Sequence, residues 1–139
     1  MTRIAVTDDI ATCQALRRAV FMDEQGVSEA DEFDGLDDRA THLLALVDGR
    51  PVGTARLFVD GETGKIGRVC VLAEARGTGL GAALIKASLD HFRTLPGVHR
   101  ATLGAQTHAL SFYEKLGFAA HGPEFDDAGI PHRQMSRDL

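Results

Sequence analysis

The stretch "RVCVLAEARGTGLGAALI", Arg68–Ile85, has the pattern of a buried strand, a glycine-rich turn and the start of an apolar helix. Three glycines at alternate positions, Gly77, Gly79 and Gly81, stand where that helix begins. Backbone N–H groups at the start of a helix bind anions, most often phosphate. Glycine lets a ligand approach this backbone closely because it has no Cβ. The stretch therefore predicts a phosphate-binding turn.

The elements around this turn predict an α/β fold with a mixed sheet. A short strand, Arg3–Val6, and a helix with apolar residues three or four apart precede it. Asp48-Gly49 and Asp60-Gly61 separate three strands of an antiparallel meander. The helix after the turn, from about Gly79 to Arg93, leads into a strand that must be parallel to the one before the turn. A short helix closed by Gly117 and a final hairpin complete the order.

Composition limits the classes of function. The chain has 139 residues, 44% of them apolar and 25% charged, which fits one ordinary globular domain. The net charge of −5 argues against nucleic acid as a partner. No apolar run has the roughly 18 residues of a membrane span, and "MTRIAVTDD" lacks the apolar segment of a secretory signal. We therefore expect a cytoplasmic protein that binds neither nucleic acid nor membrane.

Cysteines and histidines have no spacing typical of a metal site. Cys13 and Cys70 lie far apart, and the six histidines are scattered along the chain. We expect both thiols to be buried and reduced, with a disulfide as the alternative. No metal is predicted.

The charge of the chain is unevenly distributed. Between Asp23 and Asp38 lie eight acidic residues and no basic one, so the rest of the chain carries a net +3. Such a run is usually a solvated loop. The alternative is a negative surface that attracts a cationic substrate. The sequence leaves both interpretations open.

Several phosphate sites could use such a turn. Gly77-x-Gly79-x-x-Ala82 has the spacing of a dinucleotide-binding fingerprint, but no Asp or Glu occurs from His91 through Tyr113 to bind a ribose. A P-loop is excluded because no Gly-Lys-Ser/Thr follows. A purely structural turn remains an alternative.

Two motifs resemble the GNAT acetyltransferase superfamily. "RGTGLG", Arg76–Gly81, directly after "VCVLAEA", resembles its coenzyme A motif, and "SFYEKLGF", Ser111–Phe118, resembles its C-terminal signature. The segments "RAVFMDEQGV", "DGLDD", His42 and "GRVCV" are similar to the small ElaA-like branch. The resemblance implies one N-acetyltransferase domain over residues 1–139, with a mostly antiparallel sheet and a splayed pair of parallel strands.

The resemblance also implies a cofactor site for acetyl-CoA, which serves as co-substrate. The pyrophosphate would lie on the turn, and the pantetheine arm along the strand before it, with the N–H of Val71 polarising the thioester carbonyl. Gln106 matches a position that often carries an amide side chain in contact with the cofactor. The expected cofactor-binding residues are Val69, Cys70, Val71, Arg76, Gly77, Thr78, Gly79, Leu80, Gly81, Ala82 and Gln106.

Tyr113 matches the general acid of the superfamily, which protonates the leaving thiolate. A phenol pKa of about 10 suits that task. Without the resemblance, Tyr113 would be a packing residue of an amphipathic helix. Cys70 has apolar neighbours and nothing to activate it, which favours direct attack by an amine over a covalent intermediate on the enzyme.

The sequence defines the residues that contact the acceptor less clearly than those that bind the cofactor. Many relatives carry a catalytic glutamate on the strand after the coenzyme helix, where this chain has Ala101 and Thr102. Glu24 is the first candidate for a base or amine anchor, and His42 is the second. Arg68 is a candidate for binding a substrate carboxylate. Each of the three has a purely structural role as its alternative.

The resemblance predicts an N-acetyltransferase that acts on a small-molecule or peptide amine through a ternary complex. Homodimers are common in the superfamily, although the sequence itself carries no signal of the oligomeric state. The competing interpretation is a non-catalytic module that binds or senses acyl-CoA. Tyr113 argues against that alternative, and the absent strand glutamate argues for it.

Overall fold

The computed structural model describes all 139 residues. The strands are β1 (Thr2–Thr7), β2 (Thr41–Val47), β3 (Arg50–Asp60), β4 (Thr63–Val71), β5 (Arg100–Gln106), β6 (Ala119–Asp127) and β7 (Ile130–Asp138). The helices are α1 (Ile10–Arg17), which continues as a π-helix over Arg18–Glu24, α2 (Glu29–Glu32), α3 (Leu80–Arg93) and α4 (Leu110–Glu114). No helix combines the length and the hydropathy needed to cross a membrane.

All seven strands form one sheet in the order β1-β2-β3-β4-β5-β7-β6. Only the central β4–β5 pair is parallel, and α3 makes the crossover between these two strands. The remaining neighbours are antiparallel. The predicted order of elements and the mixed, mostly antiparallel sheet are confirmed.

The two parallel strands separate halfway along their length. β4 and β5 are paired from Thr63 opposite Arg100 to Ile66 opposite Leu103, and pairing ends there although both strands continue. Just beyond the last pair, Arg68 has φ +49° and the β3–β4 register shifts, which marks a bulge. A bulge bends its strand and increases local twist. The predicted splay is therefore present, between residues 67–71 of β4 and 104–106 of β5.

Helices cover both faces of the sheet and fix the position of the splay. α3 packs its apolar row, which includes Leu84, Ile85 and Phe92, into the main core. A Cβ at Gly64 would lie 2.6 Å from the Phe92 ring, so glycine is needed there for the helix to sit against β4. A smaller cluster of Leu16, Val20 and Cys70 joins α1 and its π-helical extension to the other face.

Two local predictions are also confirmed. Gly117 has φ +91° and ends the short helix, since its N–H donates to Glu114 O and the N–H of Phe118 donates to Tyr113 O. This pair of bonds is the Schellman arrangement. Cys13 and Cys70 are free and buried, so the disulfide alternative is not realised.

Candidate active site

The glycine-rich turn presents a row of free backbone donors. Gly77 and Gly79 have φ of +77° and +83°, and Gly79 is the N-cap residue of α3. None of the six N–H groups from Gly77 to Ala82 donates a hydrogen bond within the protein. A Cβ added at Gly77 or Gly79 would meet no atom within 4 Å, so the space over the turn is open. Such a row of donors at the positive end of a helix fits a pyrophosphate.

The strand before the turn directs another backbone donor into the splay. Leu72 N–H donates to Val52 O over 2.8 Å, so Leu72 faces β3. Backbone directions alternate along an antiparallel pair, and Val71 lies opposite Gly53 in the same register. The N–H of Val71 therefore points away from β3, toward the side on which β4 and β5 have separated. This is the direction that the expected contact with a thioester carbonyl requires.

A cleft of about 360 Å³ opens at the splay. Its apolar walls come from both strands, the π-helix and the C-terminal hairpin, and include Phe21, Val27, Ile66, Leu103, Phe125 and Ile130. The polar side chains that line it include Gln25, Asp31, Arg68, Gln106, Tyr113 and His132. An apolar pocket with a few convergent polar groups is typical of a small-molecule site.

Tyr113 contributes the phenol of this cleft from α4. Its ring makes edge-on contacts with Phe112 and Phe118, with ring centroids 5.0 Å and 6.2 Å away. Burial raises the pKa of the phenol above its usual value. The group therefore keeps its proton at neutral pH, which is the state that a general acid needs.

Comparison with known proteins identifies this arrangement. The family profile described as an acetyltransferase (GNAT) domain matches residues 9–139. The chain belongs to the GNAT acetyltransferase family. The resemblance predicted from "RGTGLG" and "SFYEKLGF" is thereby confirmed.

Individual relatives show which members of the GNAT family this chain is similar to. A Bacillus subtilis protein named as a putative acetyltransferase is 41% identical over 138 residues, covering 97% of this chain and 93% of its own. The crystal structure of Escherichia coli ElaA superimposes with a TM-score of 0.86 at 29% identity, covering 99% of both chains. An acyl-CoA N-acyltransferase of Pseudomonas aeruginosa has the same TM-score of 0.86 at 30% identity and the same coverage. The chain is thus an acyltransferase of a family that uses acetyl-CoA, and the ElaA-like resemblance is confirmed.

In this GNAT enzyme, Arg76 does not extend over the glycine turn. Its Nε donates to Val71 O over 3.0 Å, and Nη2 lies 2.7 Å from Oε2 of Glu24. The turn therefore offers backbone donors, while Arg76 joins the end of β4 to the π-helix. Glu24 is occupied by this ion pair and does not line the cleft. The prediction that Glu24 is the base has no support from this geometry.

His42 lies outside the cleft, in the sheet beneath α1. Its side chain is 2% exposed, and Nε2 donates to Asp37 O over 2.9 Å. The second ring nitrogen, Nδ1, is buried without a partner. A ring enclosed in this way has no accessible nitrogen to offer an acceptor, so the predicted substrate contact is not found in this arrangement.

The acidic stretch is largely neutralised by arginines. Arg17 is 1% exposed and bonds to both Glu32 and Asp37, with its closest contacts at 2.7 Å and 2.9 Å. Arg56 bonds to Asp34 and again to Asp37, at 2.6 Å and 3.0 Å. With Glu24–Arg76 and Glu29–Arg18, five of the eight acidic side chains are paired.

This network has consequences for pKa values and for the acceptor. Hydrogen bonds from Arg17, Gln14 and Arg56 overcome partial burial and hold the pKa of Asp37 well below its usual range. The pKa of Asp34 is lowered chiefly by its bond to Arg56. The stretch therefore attracts cations far less than its count of charges indicates. Among the unpaired acidic side chains of this stretch, only the exposed Asp31 lines the cleft.

Arg68 lines the cleft and is already matched by carboxylates. Its Nε lies 3.4 Å from Glu32, and Nη2 lies 3.4 Å from Asp34 while donating to the carbonyl oxygens of Asp31 and Glu32. These bonds tie α2 to the bulge of β4. They leave Arg68 with little unpaired charge for a substrate carboxylate.

The C-terminal hairpin brings His132 to the cleft, a residue that the sequence analysis did not predict as part of the site. Gln106, His132 and Phe125 are direct neighbours across β5, β7 and β6. Gln106 Nε2 donates to Gln25 Oε1 over 3.0 Å, so the end of the π-helix meets this row. π-Helical turns often occur at functional sites. The alternation of side chains along β7 predicts which residues share a face with His132. The local sequence does not show which strands lie beside β7 in the sheet.

Proposed function

We propose that this GNAT enzyme transfers an acetyl group from acetyl-CoA to a primary amine by direct attack in a ternary complex. The observation that carries the proposal is the splay, which has a row of free amides at one end and a protonated phenol in the adjoining cleft. The turn follows the end of β4, and the cleft lies in the gap where β4 and β5 have separated. An acyl donor can thus lie on the turn while its thioester meets the cleft.

Each part of the gap has a task in this reaction. The amides of Gly77–Ala82 bind the pyrophosphate, and the N–H of Val71 stabilises negative charge on the thioester oxygen. Tyr113 donates its proton to the departing thiolate. Gln106 orients the donor from the wall of β5. The apolar walls exclude water, which would otherwise hydrolyse the thioester.

Direct attack is favoured because the only thiol beside the gap is inert. Cys70 is 4% exposed, and burial raises the pKa of its thiol to about 12. A thiol in this state carries almost no thiolate at neutral pH, and the thiolate is the nucleophile. No acetyl group should therefore pass through Cys70.

A screen of primary amines with acetyl-CoA, reading thiol release, tests the proposal. Amine-dependent release with formation of the N-acetyl product is expected, and Cys70→Ala should retain the wild-type rate. Binding of acetyl-CoA without turnover for any amine would instead favour the non-catalytic acyl-CoA module. A burst of acetyl-enzyme in wild type that disappears in Cys70→Ala would contradict direct attack.

A further inference from the structure

We infer that His132 is the general base of the acetyl transfer. The inference rests on the proposed function, since it names the group that takes the proton from the acceptor amine. It is carried by the hydrogen bonds and the exposure of the two ring nitrogens, together with the position of the ring in the cleft.

The tautomer of His132 is fixed by its own strand. Nδ1 lies 2.7 Å from the carbonyl oxygen of Ile130. A carbonyl oxygen only accepts hydrogen bonds, so Nδ1 must carry the hydrogen. In the neutral ring Nε2 is then left with a free lone pair. Stacking on Phe125, with centroids 5.7 Å apart, holds the ring in this orientation.

The lone pair of Nε2 faces the solvent of the cleft. His132 is 9% exposed overall and lines the cleft. The buried side-chain nitrogens without a hydrogen-bond partner are His42 Nδ1, Arg56 Nε and Arg68 Nε, and His132 Nε2 is not among them. Nε2 makes no hydrogen bond within the protein either, so it is open to a ligand.

The other ionisable groups of the cleft are less suited to accept the proton. Glu32 and Arg68 are paired with each other, and Tyr113 carries the proton for the leaving group. Asp31 and Asp127 are exposed at the rim of the cleft, where their carboxylates are solvated. His132 is the only group with an unengaged basic nitrogen held in a fixed direction inside the cleft.

His42 and His132 show why one histidine can act and the other cannot. Both are buried, and both donate one ring N–H to a backbone carbonyl. In His42 the second nitrogen is sealed inside the protein, whereas in His132 it is open to the cleft. β5 has no glutamate that could act as the base. On this inference His132 of β7, which is paired with Gln106 of β5, takes that role.

The step balances without any further reactant. The neutral amine attacks the thioester carbonyl carbon, forming the C–N bond, and the nitrogen gives a proton to His132 Nε2. The C–S bond then breaks, and the sulfur leaves with the electron pair and takes the proton of Tyr113. Solvent carries a proton from the imidazolium to the tyrosinate, which restores both groups.

The substitution His132→Asn removes the basic nitrogen and keeps the hydrogen bond that holds the side chain in place. The Asn amide can keep the bond to Ile130 O because its nitrogen replaces Nδ1, while the basic Nε2 is lost. For an alkylamine acceptor we expect kcat/KM to fall roughly 10²–10⁴-fold, the range for a positioned acid or base. A weakly basic amine should lose less than about tenfold, because its nitrogen becomes strongly acidic on attack and can give its proton to water without a positioned base.

Two further variants complete the experiment. His132→Gln places an amide near the position of Nε2 and should show the same difference between the two amines. His121→Asn is the matched control, a histidine of the same hairpin whose Nε2 bonds to Ser136, and it should match wild type. Acetyl-CoA affinity, measured by calorimetry, should be unchanged in all folded variants.

The outcomes separate the two claims. Equal losses for both amines, or wild-type rates in a folded His132→Asn or His132→Gln protein, would overturn the role of His132 while leaving the transfer intact. If the wild-type protein acetylates no amine at all, the proposed function is wrong, and with it the role of His132. If both variants are unfolded by circular dichroism, rescue of a folded His132→Ala protein by added imidazole decides, and its absence contradicts the inference.

Discussion

Arg76 and Glu24, two residues that the sequence assigned to opposite sides of the reaction, form an ion pair with Nη2 2.7 Å from Oε2. The side chains of Arg76 and Glu24 are 46% and 36% exposed, so the pair is expected to contribute no more than about 1 kcal/mol to stability. The pairing holds the π-helix against the end of β4 and keeps the arginine away from the glycine turn.

This pairing gives the first prediction. Glu24→Gln should leave kcat within about threefold of wild type, because the carboxylate does not line the cleft. The measurement is steady-state turnover with an alkylamine, with the neighbouring Asp23→Asn as control. A loss of 10² or more, the scale for a general base, would restore Glu24 to that role.

The second prediction concerns the glycine turn. Gly79→Ala should weaken acetyl-CoA binding at least tenfold, because φ +83° is strained for any residue with a Cβ and the amides would shift. Gly97→Ala is a matched control, with φ +82° beyond the other end of α3 and open space for its Cβ. Both variants should lose similar stability, but only the first should lose affinity in calorimetry. Equal affinities in the two folded variants would remove the turn from the cofactor site.

Tyr113→Phe tests the proton donor. The ring contacts with Phe112 and Phe118 remain, so stability and acetyl-CoA affinity should hardly change, while kcat should fall roughly 10²–10⁴-fold. Because burial raises the pKa of the phenol, wild-type activity should persist to the usual phenol pKa of about 10 before ionisation removes the proton. A folded Phe variant with wild-type kcat would make Tyr113 a packing residue.

The fourth prediction concerns stability in acid. The folded pKa of Asp37 is depressed, so its contribution is complete above the unfolded value of about 3.9 and is lost as pH falls toward the folded value. Asp37→Asn should cost about 3 kcal/mol at pH 7, because Arg17 and Arg56 are buried and lose a shared partner. The variant should also show a flatter loss of stability below pH 4.

Urea unfolding at a series of pH values measures this effect. The exposed neighbour Asp38 has no ion pair and provides the control, since Asp38→Asn should change stability by less than about 0.5 kcal/mol. If the two variants have the same stability at pH 7, the buried network does not hold α1 and the segment around Asp37 to the sheet.

The sequence by itself determined those features that depend on neighbouring residues. The glycines of "RGTGLG" fix a turn because backbone conformation is a property of a few successive residues, and "SFYEKLGF" predicts a helix with Tyr113 ended by Gly117. Apolar periodicity and the Asp-Gly turns gave the order of elements. The two motifs together identified the GNAT family, and with it the splay of β4 and β5.

Only the tertiary structure decided which distant side chains meet. In the sequence, the eight acidic residues of 23–38 have the pattern of a charged surface. Arg17, Arg56 and Arg68 pair with several of them only after α1, β3 and β4 have packed together. His132 joined Gln106 through the insertion of β7 between β5 and β6, which strand patterns alone do not specify. Cross-strand register and buried ion pairs depend on the whole sheet, so no local pattern in the chain could reveal them.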